Sequence, residues 1–280
     1  MTEPDADEAR PSAPIVERSD FAEPSAFTPE SLLREARRQK GLPNADVPAL
    51  CVLDPDGDIV RDLVAAGRAR LDPEWACYHT RLHLVEADGL RYGIIGGAVG
   101  ASFAVLVAEE LFASGCQHLV SVTSAGQITP LRAPPYFVLI ERALRDEGTS
   151  YHYLPPGRYV AADPGLIDLV GTALRGVDVV IERGSSWTTD APFRETATEI
   201  AARRDEGALA VEMEAAALYA FARARRHSVI CFAHITNQMG QAEHDFEKGE
   251  SSGARAALRL IEAVALALVM PSSREPRPSD

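Results

Sequence analysis

The chain has 280 residues, 46% of them hydrophobic, enough for one large α/β core or two small ones. Its formal net charge of −13, from 41 acidic against 28 basic side chains, argues against a nucleic-acid backbone or an anionic membrane surface as partner. The cysteines Cys51, Cys77, Cys116 and Cys231 lie far apart in mostly apolar surroundings, which suits reduced core thiols, and Cys77 with His79 and His83 lacks the second ligand cluster of a metal site.

In chain order, residues 1–26 are rich in Pro, Ala, Asp, Glu and Ser without an apolar period and read as a disordered tail, as do residues 271–280. One domain, residues 27–270, is expected between them. The start Met1-Thr2-Glu3-Pro4-Asp5 has no signal core and no apolar run is long enough for a bilayer, so a cytoplasmic protein is expected. Residues 27–40 suggest a short surface helix stopped by Gly41-Leu42-Pro43. Short apolar runs at 49–53, 92–95, 118–123, 136–140, 177–181, 209–211 and 229–234 read as buried strands. Between the second and third runs, the turn Gly96-Gly97-Ala98-Val99-Gly100 opens an amphipathic helix that Gly115 closes. A second strand-helix-strand unit runs from Leu209 through an Ala-rich segment ending at Arg226 and into the strand at 229–232.

The chemistry concentrates at Glu212-Met213-Glu214, two carboxylates placed where a buried strand becomes a helix. Burying carboxylates is costly unless they bind something, and one at a sheet edge suits a ribose 2′,3′-diol because it accepts from two hydroxyls at once. Capping of the helix N-terminus explains the same two acids equally well.

Glu212-Met213-Glu214-Ala215-Ala216 resembles the ribose-binding signature of the purine-nucleoside/uridine phosphorylase family, which also includes methylthioadenosine nucleosidases. Other segments resemble the family in the same order: residues 54–61 its phosphate loop, with Gly57 and Arg61 on the glycine and arginine of that motif, 97–102 its Gly-rich turn, 122–126 its Gly-Thr-Ala-Gly segment, and 145–150 the stretch next along the family's chain. The uridine phosphorylase-like members are the nearer resemblance. It implies a single-domain, three-layer α/β/α fold around a mixed, partly barrel-like sheet. It further implies phosphorolysis of a nucleoside to free base and ribose or deoxyribose 1-phosphate, with phosphate as co-substrate, no cofactor and no metal. A homo-oligomer, either a dimer or a hexamer built as a trimer of dimers, is implied by the same resemblance.

Carried over residue by residue, the resemblance puts phosphate on Gly57, Arg61 and Ser124, ribose on Glu212, Met213 and Glu214, and the base against Trp187, Arg194 and Asn237. Glu214, Arg61 and Asn237 would carry catalysis. Two positions depart from the pattern: Ser121 stands where phosphorolytic relatives carry a second arginine, and Pro192 where uridine phosphorylases carry the glutamine beside their uracil-reading arginine. Hydrolysis by water therefore stays open as an alternative, as does an inactive nucleoside-binding protein. A dinucleotide fingerprint at 95–100 would need glycine in place of Ile95.

Overall fold

The computed structural model describes residues 13–18, 20–87, 89–239 and 245–269. At its centre β1 (Leu50–Asp54) is buried along its whole length, flanked in parallel by β4 (Leu90–Gly96) and β5 (His118–Gln127). A continuous apolar strand of this kind forms where helices cover both faces of a sheet. β5 also pairs in parallel with β10 (Ser228–Asn237) and, at its far end, antiparallel with β9 (Ala208–Glu212). β6 (Tyr136–Asp146) and β8 (Ile181–Thr189) complete a closed circuit, β10-β6-β8-β9-β5-β10, which is the barrel-like part of the sheet. The open wing continues from β5 through β1 and β4 to β3 (Leu82–Ala87) and β2 (Ala69–Leu71), while β7 (Tyr159–Ala161) edges β6.

The helices fall into two groups. α1 (Pro29–Lys40) packs on α3 (Ala101–Ala113), and α3 packs on α6 (Ala215–Arg225). In the other group, α7 (Ala254–Val269) packs on α2 (Asp58–Ala65) and α4 (Pro164–Ala173). α5 (Ala197–Asp205) leans on β9. The expected α/β architecture with a mixed, partly closed sheet is the one observed.

Three strands, β2, β3 and β7, went unforeseen, and the strand expected at 177–181 is displaced to Ile181–Thr189. Residues 177–180 instead form a turn, with the N–H of Val179 donating to the Val177 carbonyl. β8 escaped notice because its inward positions Ser186 and Thr188 are polar, and polar residues give no apolar alternation. Of the segments read as tails, residues 1–12 and 271–280 lie outside the described residues. Residues 13–18 and 20–26 are largely exposed and include the 3₁₀ turn Pro14–Val16, and Arg18 donates to His152 Nδ1 at 2.6 Å.

Candidate active site

The carboxyl ends of β1, β4, β5 and β10 converge, and β9, antiparallel to β5, brings its own end back beside them. The turns after β1 and β4 abut closely enough that a Cβ on Gly96 would stand 3.1 Å from Gly57 Cα, a contact that would force one loop to shift, so glycine suits the approach. Gly57 itself has φ of +73° and serves as N-cap of α2 without a capping side chain. Asp54 replaces that cap: its carboxylate accepts from the Val60 N–H at 2.9 Å, and its carbonyl accepts from Gly57 N–H at 2.9 Å and Gly97 N–H at 3.1 Å. Burial pushes Asp54 up to about 7, with Asp56 and Asp58 nearby adding to the rise.

Glu212 and Glu214 divide their work. Glu212 is buried at the end of β9, where Oε1 accepts from the Ser186 and Thr188 hydroxyls and Oε2 from the Glu214 and Ala215 N–H groups. It ties β8 to the first turn of α6, and burial still raises its pKa against those hydrogen bonds. Glu214, the N-cap residue of α6, is 1% exposed; Oε1 accepts from the Gly100 N–H at 2.7 Å, while Oε2 has no partner among the described residues. Burial, then the adjacent Glu212 carboxylate, drives its pKa up to about 8, with the Gly100 N–H and the Thr123 hydroxyl pulling the other way. A buried carboxyl oxygen without a partner is an acceptor prepared for something outside the chain. Met213, between the two acids, is partly buried.

The end of β5 links the remaining parts. Ser124 donates to Asp56 from its N–H at 3.0 Å and from its hydroxyl at 2.9 Å. Lys248, on the segment ahead of α7, pairs with Asp58 at 2.6 Å and with Asp56 at 3.5 Å. Arg61 pairs with Asp58, donates to the Asp56 carbonyl at 3.1 Å, and keeps a side chain that is 67% exposed. Beyond Ser124, Asn237 donates to the Ala125 carbonyl at 3.4 Å and accepts from the Met239 N–H at 3.0 Å. Gly57, Arg61, Ser124, Glu214 and Asn237 thus gather around the end of β5, directly or through one intervening residue.

Trp187 and Arg194 make none of these hydrogen bonds or ion pairs among the described residues. Trp187 is 1% exposed in a separate cluster with Ile128, Leu144, Ile200 and Val211, its indole N–H donating to Asp146 at 2.9 Å. Strand alternation turns it to the face opposite Ser186 and Thr188, hence away from Glu212. Arg194 sits exposed on the 3₁₀ turn Pro192–Arg194, next to the fully exposed Phe193. Ser121 is buried in mid-strand with an unpartnered Oγ. His234 stacks on Phe137 at 4.4 Å between ring centroids, and burial lowers its pKa to about 4, so it is neutral near pH 7 and cannot serve as an acid there. Among the described residues no three His, Cys, Asp or Glu side chains are grouped to hold a metal, and no helix is long and apolar enough to cross a membrane. A cleft of about 730 Å³ lined by Asp163, Leu166, Tyr219 and His227 opens at the opposite end of β10.

Sequence reasoning missed the Gly100 N–H, Thr123 and Lys248. Gly100 left a signal, a glycine just before a helix, and its φ of +90° explains the choice. Lys248 left none, since no local pattern ties it to β1.

The fold, with its closed strand circuit, is shared with nucleoside phosphorylases of known structure. The chain belongs to the phosphorylase superfamily, whose family model matches residues 50–269, and whose members include nucleoside phosphorylases, transferases of the pentosyl type. A guanosine phosphorylase from Halorubrum lacusprofundi is 28% identical over 204 residues, 69% of this chain and 84% of the relative. Among solved structures, uridine phosphorylase from Vibrio fischeri ES114 superposes with a TM-score of 0.65 at 22% identity, covering 79% of this chain and 93% of that one. Purine nucleoside phosphorylase from Toxoplasma gondii in complex with immucillin-H gives 0.67 at 15% identity, covering 80% and 91%.

Proposed function

We propose that this protein cleaves the N-glycosidic bond of a nucleoside with inorganic phosphate, releasing the free base and ribose or deoxyribose 1-phosphate. The observation that carries the reading is the unpartnered Oε2 of Glu214, buried beside Gly100 and Thr123. A carboxyl group in that setting accepts from a sugar hydroxyl without losing water at binding, because burial has already stripped it. With Oε1 fixed by Gly100, Oε2 is the atom left for the diol.

Glu214 holds the ribose and favours the cationic, oxocarbenium-like sugar that forms as the bond to the base breaks. Glu212 and Met213 set its position. Phosphate approaches C1′ from the side of Gly57, Arg61 and Ser124, and Asn237 steadies the departing base. Neither electrons nor hydride move, so the reaction calls on no cofactor, and its catalysis is positioning and electrostatics. The proposal extends to a homo-oligomer working in the cytoplasm.

Base release from a panel of nucleosides, with and without phosphate, tests the reading, and the guanosine phosphorylase relative places purine nucleosides first. Phosphate-dependent release with formation of a sugar 1-phosphate is the expected result. Release of free ribose regardless of phosphate would make the enzyme a hydrolase, and no release from any nucleoside would overturn the assignment.

A further inference from the structure

We infer that Asp56 is a resident occupant of the anion seat at the phosphate end of the site, and that it sets the affinity for phosphate because the incoming anion must displace it. The inference rests on the proposed function in one respect, the position of phosphate beside Ser124.

Two donors at the end of β5, the N–H and the hydroxyl of Ser124, form a fork that fits two oxygens of one anion. Both are taken by a single carboxylate: Asp56 Oδ2 accepts the N–H at 3.0 Å and Oδ1 the hydroxyl at 2.9 Å. The cations nearby are engaged by the same loop. Lys248 binds Asp58 at 2.6 Å and Asp56 at 3.5 Å, and Arg61 pairs with Asp58 while donating to the Asp56 carbonyl at 3.1 Å. Two carboxylates against one ammonium and one guanidinium leave these four side chains with no net charge. A phosphate dianion arriving beside Ser124 would therefore meet Asp56 at close range with no surplus of positive charge to offset the repulsion.

When Asp56 swings away, the Ser124 fork is freed and Lys248 loses one of its two carboxylate partners. Phosphate then takes over the contacts that Asp56 gave up. Asp56 thereby acts as a competitor tethered to the site, and its removal strengthens phosphate binding without touching the sugar contacts at Glu214.

The test is phosphate binding to the full chain without nucleoside, by isothermal titration, for wild type, Asp56→Ala and the near-isosteric Asp56→Asn, each checked for folding by circular dichroism. Both variants are expected to bind inorganic phosphate about tenfold or more tightly than wild type, with the KM for phosphate falling and the KM for nucleoside moving less than about twofold. Unchanged or weaker phosphate binding in the folded variants would overturn the inference. So would a wild type that releases free ribose and loses that activity in Asp56→Ala, which would make Asp56 the base that activates water. Should Asp56→Ala fail to fold, Asp56→Asn alone decides, since it retains an acceptor for Ser124. Product identity in the wild type reports separately on phosphorolysis, so failure of that reading is distinguishable from failure of this one.

Discussion

The N–H of Gly100 donates to Glu214 Oε1 across 2.7 Å, joining the turn ahead of α3 to the residue that caps α6. The bond orients the carboxyl group and leaves Oε2 as its free end. Replacement of Glu214 by Gln keeps an acceptor for Gly100 but removes a group that ionises near pH 8, and with it the carboxylate that favours a cationic sugar. A loss of about 10²–10³-fold in kcat/KM is expected, with the thermal midpoint held or raised, since an uncompensated buried acid is gone. Steady-state kinetics and a melting curve on the same sample decide it; full activity in Glu214→Gln would remove Glu214 from the ribose site.

Glu212 differs in that both of its carboxyl oxygens already accept from groups of the chain. Its loss in Glu212→Ala strands two backbone N–H groups of the α6 entry and frees the Ser186 and Thr188 hydroxyls. Each buried polar group left unpaired costs about 1–3 kcal/mol, so a fall of about 3 kcal/mol or more in unfolding free energy is expected. Urea denaturation measures it. A loss under about 1 kcal/mol would show that other groups hold the β9–α6 junction.

Asp54 contributes to the pH dependence of stability, since burial raises its pKa to about 7. An unfolded aspartate titrates near 3.9, so across roughly pH 4 to 7 the folded chain holds a proton that the unfolded chain has released. Asp54 therefore contributes full stability below the lower value and loses it as pH rises through the upper one. Asp54→Asn keeps an acceptor for the Val60 N–H and does not titrate. Wild type measured against this variant should lose up to about 4 kcal/mol between pH 4 and 7, then level off. A difference that stays flat over that range would show that Asp54 is ionised throughout.

The chain's fold was legible where apolar runs or glycines mark it: β1, the Gly96–Gly100 turn into α3, and the passage from β9 into α6 each form where the pattern put them. β8 was not, because Ser186 and Thr188 point inward only to meet Glu212, a partner more than twenty residues away in sequence. For the same reason the unequal burdens of Glu212 and Glu214 were hidden. The two acids look alike along the chain, and what separates them is the hydroxyl pair on another strand. The loop carrying Asp56 could be read as an anion loop, but the position of its own carboxylate on Ser124 depends on how β1 and β5 align in space. Lys248 reaches that loop from the segment ahead of α7, a contact that no local pattern encodes.

Trp187 is where sequence and geometry diverge most, because an aromatic in the expected base-binding segment turns out to be enclosed. Its indole N–H bonds Asp146, the Arg203 guanidinium lies 5.6 Å from its ring, and Ile128, Leu144, Ile200 and Val211 surround it. With 1% of its surface exposed, the ring is held by these neighbours. Trp187→Phe loses the hydrogen bond and leaves a void, with an expected cost of about 2–3 kcal/mol in stability. If the ring serves packing alone, the KM for nucleoside moves less than about twofold. A tenfold rise in KM with stability intact would instead put Trp187 against the base, and would require β8 to shift when the nucleoside binds.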